Sequence, residues 1–416
     1  MILNEGKAQI EEKDDNIIIS NELAKKITSK KYSLHFLPER FEKLSKHKFV
    51  EFKGKKLKID YLIDITNNLI LKYYFKKENR FPLNAIVLKD KYGYLYNYYI
   101  NYLIEINVLI LKQNYKKGKN SRIYALDEKI FRQKIKRYKN SDSILLKKLK
   151  KRVFNTFDLT EDKTHLINNS IKQKLISDLF DVDIDLGRSI FFLDSLKDDD
   201  MDIYNRNLYS VDSIKHKHIF YHFDNYGRMH TNFTILRSFI RKNCLLIDGE
   251  ETTEIDIGNS QPLFLTKIIN DSESSWVIKE EFEMFKNLTK HSNYYKFLMN
   301  ELGLKTKKEA KTLTYKVLFG KNAGRSKDDI LFKSLFPSIH KFIVLYKKEH
   351  GDYKILSHNL QRMESNLIFN KIINKIITLY PDVKMITVHD SIVFQRKYNE
   401  EINNIFQSEL LSEFNF

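Results

Sequence analysis

The segment VKMITVHDSIVFQRK, residues 383–397, restricts the local fold more than any other part of this sequence. Two runs of β-branched and apolar residues flank the short polar stretch His389, Asp390 and Ser391. Such runs favour strands and Asp favours turns, so the segment predicts a β-hairpin with a polar tip. An ordinary surface hairpin has the same pattern, and the tip alone does not indicate chemistry.

Most of the remaining chain is expected to be helical. Only 12 of the 416 residues are Gly and 5 are Pro, so few positions break a helix or form a flexible linker. With 42% apolar residues, a chain of this length buries a sizeable core and is expected to form two or three domains. The sequence therefore predicts a mixed α+β protein.

The charge of the chain predicts a polyanionic partner. Lys and Arg number 72 against 54 Asp and Glu, which gives a net charge of +18. Nucleic acid is the simplest partner for such a charge, although an AT-rich genome also raises the lysine content. The basic residues cluster in 130–152, where apolar residues recur with helical spacing.

The sequence also predicts where the protein resides. It contains no run of about 18 apolar residues, so no membrane span or membrane partner is expected. Its first residues are polar and acidic and do not resemble a signal peptide. The single cysteine, Cys244, excludes a disulfide framework. A cytoplasmic location is the prediction.

Residues 81–128 contain a pattern of two helices followed by a strand, a basic Lys-Gly turn and a second strand. This is the layout of a winged helix, and a small α+β domain with an incidental basic turn has the same pattern. The predicted regions are a lead-in and mixed α+β segment at 1–80, the winged-helix or α+β module at 81–128, a basic helical linker at 129–205 and a core at 206–416.

A strand that ends in a carboxylate is predicted in TTEIDIGNSQPLFLTKII, residues 252–269. Ile255 and Ile257 alternate with polar residues, which is typical of a half-buried strand. Ser260 then offers a helix N-cap, and an apolar helix follows. Asp256 thus precedes a strand-to-helix turn, where a lone Asp is usually structural.

A helix with an unusual face is predicted in TKKEAKTLTYKVLFGKNAG, residues 306–324. Thr306 and Glu309 form a capping box, and Gly320 supplies a stop. Between them, residues four apart drift by only about 40° per step and share one face. These residues are Lys307, Lys311, Tyr315 and Phe319. The face suits a triphosphate and a stacked base, and it equally suits an amphipathic helix with snorkelling lysines.

Taken in order, these segments resemble the polymerase module of family A DNA polymerases and of the related single-subunit phage-type RNA polymerases, over about residues 205–400. Asp256 matches motif A, and His389 with Asp390 matches motif C. YGRMHTNFT (226–234) resembles the Gly-Arg segment before motif A, with Arg228 as its arginine. Gln361 takes the place of the glutamine on the helix before motif C. Motif B is matched by Lys307, Lys311, Tyr315, Phe319 and Gly320.

The resemblance implies a right-hand polymerase, with palm and fingers in 206–416 and a reduced, thumb-like region before them. It implies two Mg²⁺ or Mn²⁺ ions held by Asp256, Asp390 and the carbonyl of Ile257. Lys311 would contact the triphosphate and act as general acid, with Lys307 on the distal phosphates. The remaining roles are stacking for Tyr315 and Phe319, primer-terminus contacts for Arg228 and His389, a minor-groove contact for Gln361 and a sugar contact for Gln261.

The sequence departs from the family at several of these positions. The Ser-Gln pair after the motif A aspartate is displaced, Lys307 stands where Arg is usual, and Phe319 where Tyr is usual. The residues before the module are too few for an exonuclease domain. DNA synthesis from dNTPs on primer-template DNA is the predicted function. An RNA polymerase or primase that uses rNTPs and a non-catalytic replication initiator are the alternatives.

Overall fold

The computed structural model describes residues 34–38, 41–76, 78–116, 121–131, 133, 135–156, 166–197, 200–272, 277–321 and 326–414. Over these residues the chain is α+β with helices predominating, as the low Gly and Pro content predicts. Within the same residues, no helix combines the length and apolar composition that crossing a bilayer requires.

The strands, in chain order, are β1 Leu34–Pro38, β2 Phe49–Phe52, β3 Lys55–Lys58, β4 Phe81–Pro82, β5 Leu109–Gln113, β6 Ile123–Leu126, β7 Ile135–Lys139, β8 Val182–Ile184, β9 Tyr221–Phe223, β10 Met229–Thr231, β11 Leu245–Ile247, β12 Glu250–Asp256, β13 Met385–Val388 and β14 Ser391–Gln395.

The α-helices, in chain order, are α1 Ile59–Lys76, α2 Ala85–Tyr92, α3 Tyr96–Glu105, α4 Glu128–Phe131, α5 Ser143–Thr156, α6 Asn169–Leu179, α7 Leu186–Lys197, α8 Met201–Lys215, α9 Asn232–Ile235, α10 Ser238–Cys244, α11 Ser260–Asp271, α12 Lys279–Lys290, α13 Tyr294–Leu302, α14 Lys307–Phe319, α15 Lys327–Leu335, α16 Pro337–Glu349, α17 Ile355–Ser365, α18 Asn374–Leu379 and α19 Asn399–Phe414.

Contacts divide the described parts of the chain into two compact units. Unit 1 comprises Met1–Glu161, Val182–Phe220 and Thr231–Leu246, and unit 2 comprises Asp162–Asp181, Tyr221–His230 and Ile247–Phe416. The domain boundaries expected from the sequence, after residues 80, 128 and 205, stay predictions.

In unit 1, the described residues between Ile59 and Leu126 form a helix, a short strand, two helices and a pair of antiparallel strands. The three strands have the antiparallel order β4-β6-β5. Asn84 starts α2 because its Oδ1 accepts the N–H of Ile86 at 2.8 Å, and Gly93 ends α2 with a φ of 76°. The helices and strand pair predicted for 81–128 are confirmed. Residues 117–120 of the predicted basic turn lie outside the described residues.

The helical spacing predicted for 130–152 is interrupted by a strand. Ile135–Lys139 forms β7, which pairs antiparallel with β1 over its whole length. The helix prediction is therefore wrong at these five residues, because backbone hydrogen bonds to a distant strand outweigh a local apolar periodicity. Helix resumes in α5, where the lysine-rich part of the stretch lies.

In unit 2, β12, β14 and β13 are neighbouring antiparallel strands. Val388 pairs with Ser391, so His389 and Asp390 form a two-residue turn between β13 and β14. His389 has a φ of 56°, the left-handed conformation that such tight hairpin turns require. All residues of both strands are buried. The predicted hairpin with a polar tip is confirmed.

Helix α14 begins and ends where the sequence predicts. The hydroxyl of Thr306 accepts the N–H of Glu309 at 3.2 Å, and Gly320 follows the last residue. A Cβ at position 320 would lie 2.4 Å from the Lys316 carbonyl oxygen, so only glycine fits there. The buried Lys347 of α16 donates to the carbonyl oxygens of Val317 and Gly320 at 2.9 and 2.8 Å. These bonds satisfy carbonyls that the helix end leaves open.

Lys347 makes the stability of unit 2 dependent on pH. Burial lowers the pKa of Lys347 from 10.5 to about 8. The unfolded chain therefore holds more protons than the folded chain between these values, and the free energy of unfolding rises with pH. Relative to Lys347→Met, the native protein should gain on the order of 2 kcal/mol between about pH 7.5 and 9.5 in urea unfolding. Lys348→Met, at the exposed neighbour, is the control and should follow the native pH dependence.

A π-helix lies between α17 and α18. Asn366–Ile373 is a π-helix, in which each turn holds more residues than in an α-helix. Its buried residues are Leu367, Ile368, Phe369, Ile372 and Ile373. Segments of this kind occur frequently beside functional sites.

Candidate functional site

The strand register brings Asp256 and Asp390 together. Asp256 ends β12 and pairs with Ser391, the residue directly after Asp390. The N–H of Ile257 donates to the Asp390 carbonyl oxygen at 3.2 Å, which continues the ladder past the last strand residue. Asp256 is exposed and Asp390 half-buried. Two carboxylates from segments more than a hundred residues apart thus lie at one end of the three strands.

The pKa of Asp390 responds to burial and to three charged neighbours. Burial raises the pKa of Asp390 well above its usual range, and the negative charges of Glu364 and Asp256 raise this pKa further. The positive charge of Arg228 acts in the opposite direction on the same pKa. Strongly perturbed carboxylates with identified charge partners are typical of functional sites.

Glu364 is the residue of this site that the sequence analysis missed. Its side chain is only 2% exposed. Oε1 accepts the Nε–H of Arg228 at 2.9 Å, while Oε2 accepts the amide of Gln261 at 2.6 Å and the hydroxyl of Ser260. A buried carboxylate is tolerated only with such partners. Glu364 therefore joins the Gly-Arg hairpin, the start of α11 and the end of α17.

One feature of the sequence indicates that the side chain of Glu364 is buried. In α17 the buried residues Leu356, Leu360 and Glu364 are spaced by four, and Leu367 follows three residues later. A glutamate inside an apolar helix stripe is unusual, because a buried charge that lacks its partner lowers the free energy of unfolding by about 3–5 kcal/mol. The stripe indicates burial, but it does not identify the partner.

The β9–β10 hairpin positions Arg228. Oδ1 of Asp224 accepts the N–H groups of Tyr226 and Arg228 at 2.9 and 3.0 Å, which shapes the turn. Gly227 has a φ of 81°, and a Cβ there would lie 3.2 Å from the Cβ of Ser365. Glycine is therefore required twice, for the left-handed conformation and for the close approach to α17. This approach puts Arg228 next to Glu364.

His389, at the hairpin tip, lies beside the same β9–β10 hairpin. Its ring meets that of His230 edge to face, with centroids 5.9 Å apart. His230 Nε2 is in turn 2.9 Å from Oδ2 of Asp224. His389 itself is exposed. The residue predicted to contact the primer terminus thus stands next to Asp390 and near the Arg228 turn.

One face of α14 adjoins the carboxylates. The rings of Tyr315 and Phe319 stack with centroids 5.3 Å apart and planes within 10°. Lys307 and Lys311 place their Nζ atoms 5.9 and 5.6 Å from the ring centre of Tyr295. Burial raises the pKa of Tyr315, and the negative charges of Asp390 and Glu364 add to this rise. The exposed lysines and the stacked rings therefore lie along one helix face close to the strand ends.

The two predicted glutamines differ in their surroundings. Gln261 is 4% exposed and bonded to Glu364, and its Oε1 has no hydrogen-bond partner among the described residues. Gln361 is half-buried on α17, one helical turn before Glu364.

The predicted N-cap role of Ser260 is wrong. Ser260 is the first residue of α11, and its hydroxyl binds the Glu364 carboxylate instead of a backbone amide.

The oxygen donors at the strand ends fit a hard divalent ion. In the described part of the chain, no three His, Cys, Asp or Glu side chains come close enough to form a metal cluster. Mg²⁺ does not need such a cluster, because it keeps several waters and binds through one or two carboxylates plus substrate phosphates. Asp256 and Asp390 offer two carboxylates at the strand ends, and His389 adds an imidazole at the same hairpin tip.

Neither a protein-family model nor a curated protein matches this chain. The site is therefore defined by its geometry alone. That geometry joins strand-end carboxylates, a buried Arg–Glu pair and a helix face with lysines and stacked rings, from five separate segments of unit 2.

Proposed function

We propose that this chain is a template-directed nucleotidyltransferase with a right-hand polymerase core, which extends a primer on a DNA template from dNTPs. One observation carries the proposal: the β12–β14 register brings Asp256 and Asp390 to the same strand ends, beside Arg228. Phosphoryl transfer needs positioning and charge stabilisation more than covalent help, and this arrangement can supply both.

Asp256, Asp390 and the carbonyl of Ile257 are the proposed ligands of two Mg²⁺ or Mn²⁺ ions. When bound, such ions activate the primer 3′-hydroxyl and stabilise the leaving pyrophosphate. The exposed ammonium groups of Lys307 and Lys311 bind the triphosphate in this proposal. Lys311, nearer to Tyr315 along the helix, also donates a proton to the leaving pyrophosphate.

The rings and the arginine provide the proposed nucleic-acid contacts. Tyr315 and Phe319 offer a stacked aromatic surface for the incoming base and the template. Arg228, held by Glu364, and His389 contact the primer terminus. Gln361 contacts the minor groove. The sugar contact proposed for Gln261, which is 4% exposed, requires a shift of its side chain.

The proposal assigns palm and fingers to residues 206–416 and nucleic-acid binding to the N-terminal region. Residues 59–126 support the second assignment, because their order of elements and the strand order β4-β6-β5 are those of a winged helix. The net charge of +18 supports it as well. A cytoplasmic location and a role in DNA replication complete the proposal.

Primer extension tests the function and the choice of sugar together. We expect kcat/KM for dATP to exceed that for ATP by on the order of tenfold to a hundredfold opposite the same template base. Phe319 has no hydroxyl to bond a ribose 2′-OH, so a site that recognises ribose is not expected. The comparison is made on labelled primers with DNA and RNA templates.

Two other results of the primer-extension assay would favour the alternative functions. A preference for ATP contradicts the assignment to DNA synthesis and favours the RNA polymerase or primase alternative. Binding of primer-template without addition of any nucleotide, with Mg²⁺ or with Mn²⁺, contradicts nucleotidyl transfer and favours the non-catalytic initiator.

A further inference from the structure

A groove opens in unit 1 between the start of α2, the start of α3 and the β5–β6 hairpin. Its volume is about 450 Å³, within the usual range of ligand pockets. The groove is distinct from the carboxylate site, since all the described residues that line it lie between Leu83 and Tyr124 in the chain. Its polar and aromatic lining includes Asn84, Tyr96, Asn97, Tyr115, Arg122 and Tyr124.

The aromatic lining includes a ring that packing does not explain. Tyr124 is 5% exposed and belongs to the core, whereas Tyr115 is 62% exposed. Tyr115 has no ring or hydrogen-bond partner among the described residues. At the rim, Ile86 is 78% exposed. Exposed large side chains that line a concave groove are a feature of binding sites.

The polar lining suits a nucleobase and its phosphate. Oδ1 of Asn84 already accepts the N–H of Ile86, which leaves its Nδ2 as a donor. Asn97 is exposed and offers both a donor and an acceptor. Arg122 is the charged member of the lining, and no carboxylate is among the described residues that line the groove. Aromatic rings, amides and one cation are the groups that proteins use for unstacked bases.

We infer that this groove binds one unpaired nucleotide of a single-stranded nucleic acid. The base stacks on Tyr115, the amides of Asn84 and Asn97 meet its edge, and Arg122 lies beside the phosphate. The groove holds about one nucleotide and not a duplex, whose paired bases are not free to enter it. This inference does not depend on nucleotidyl transfer at the strand-end carboxylates.

Fluorescence anisotropy of the full-length chain in EDTA tests the inference. The probes are a fluorescein-labelled oligothymidylate and a blunt duplex of equal length. We expect Tyr115→Ala to weaken binding of the oligothymidylate by about tenfold, in the range of stacking on one aromatic ring, and binding of the duplex by less than about twofold. Tyr94→Ala, at an 83% exposed tyrosine outside the lining, should change neither affinity.

Crosslinking then locates the bound base. With 5-iododeoxyuridine in the oligonucleotide, the crosslinked peptide should contain Tyr96 or Tyr115, and Tyr115→Ala should reduce its yield. Equal losses for Tyr115→Ala and Tyr94→Ala, or equal losses for single strand and duplex, would overturn the inference. So would crosslinks confined to residues 226–390. If Tyr115→Ala unfolds in thermal melts, Arg122→Gln replaces it, with the same selective loss expected.

Discussion

Asp256→Asn and Asp390→Asn are each expected to lower the rate of nucleotide addition by about a thousandfold or more. Affinity for primer-template DNA should stay within about threefold, because phosphate contacts from lysines and arginines dominate such binding. Each substitution keeps the shape of the side chain and removes a charged oxygen donor from the strand ends. Single-turnover primer extension and gel-shift titration measure the two quantities on the same preparations.

Asp382→Asn is the matched control for this pair. Asp382 is exposed and precedes β13, on the opposite end of the strand from the hairpin tip. The control should extend primers at the native rate. Extension near the native rate by Asp256→Asn or Asp390→Asn would remove the basis for the metal assignment.

Glu364→Gln is expected to lower the free energy of unfolding by about 2–4 kcal/mol and to lower kcat/KM for primer extension by about 10- to 100-fold. The substitution leaves Arg228, whose side chain is 18% exposed, without its counter-charge. It also replaces an acceptor shared by Ser260 and Gln261. Urea unfolding and steady-state extension at varied primer-template concentration measure the two effects.

A double-mutant cycle separates the positioning of Arg228 from a general loss of stability. Since Glu364 acts on Arg228, Glu364→Gln should have little further effect on extension in an Arg228→Gln background. Glu349→Gln, at an exposed position on α16, controls for the substitution itself. Additive effects of Glu364→Gln and Arg228→Gln on extension would contradict the positioning role, whatever the change in stability.

The parts of the fold and site that follow from the sequence are set by short-range patterns. The tip of the β13–β14 hairpin follows from apolar runs on both sides of His389 and Asp390. The bounds of α14 follow from Thr306, Glu309 and Gly320, which lie within fifteen residues of each other. In each case the residues that determine the structure are neighbours in the chain, so the pattern and the physical cause coincide.

The parts that do not follow depend on partners distant in the chain. Glu364 binds Arg228 and Gln261, which lie 136 and 103 residues away. The hydroxyl of Ser260 leaves its expected capping role for the same carboxylate. Strand β7 forms in a stretch with helical spacing because β1 pairs with it. Local propensities contribute only a few tenths of a kcal/mol per residue to the free energy of folding. A single hydrogen bond to a distant partner contributes more and therefore outweighs them.

The π-helix after α17 determines how the face of α17 that carries Glu364 is oriented relative to α18. Asn366–Ile373 separates Glu364 from α18, so the angle between their faces depends on the number of residues in between and on their winding. In an α-helix, one extra residue turns the faces on its two sides by about 100° relative to each other. A π-helix takes up such a residue in a wider turn, so the faces on its two sides keep their relation. Loss of one residue from Asn366–Ile373 is therefore expected to rewind the segment as an α-helix, with Glu364 still directed at Arg228.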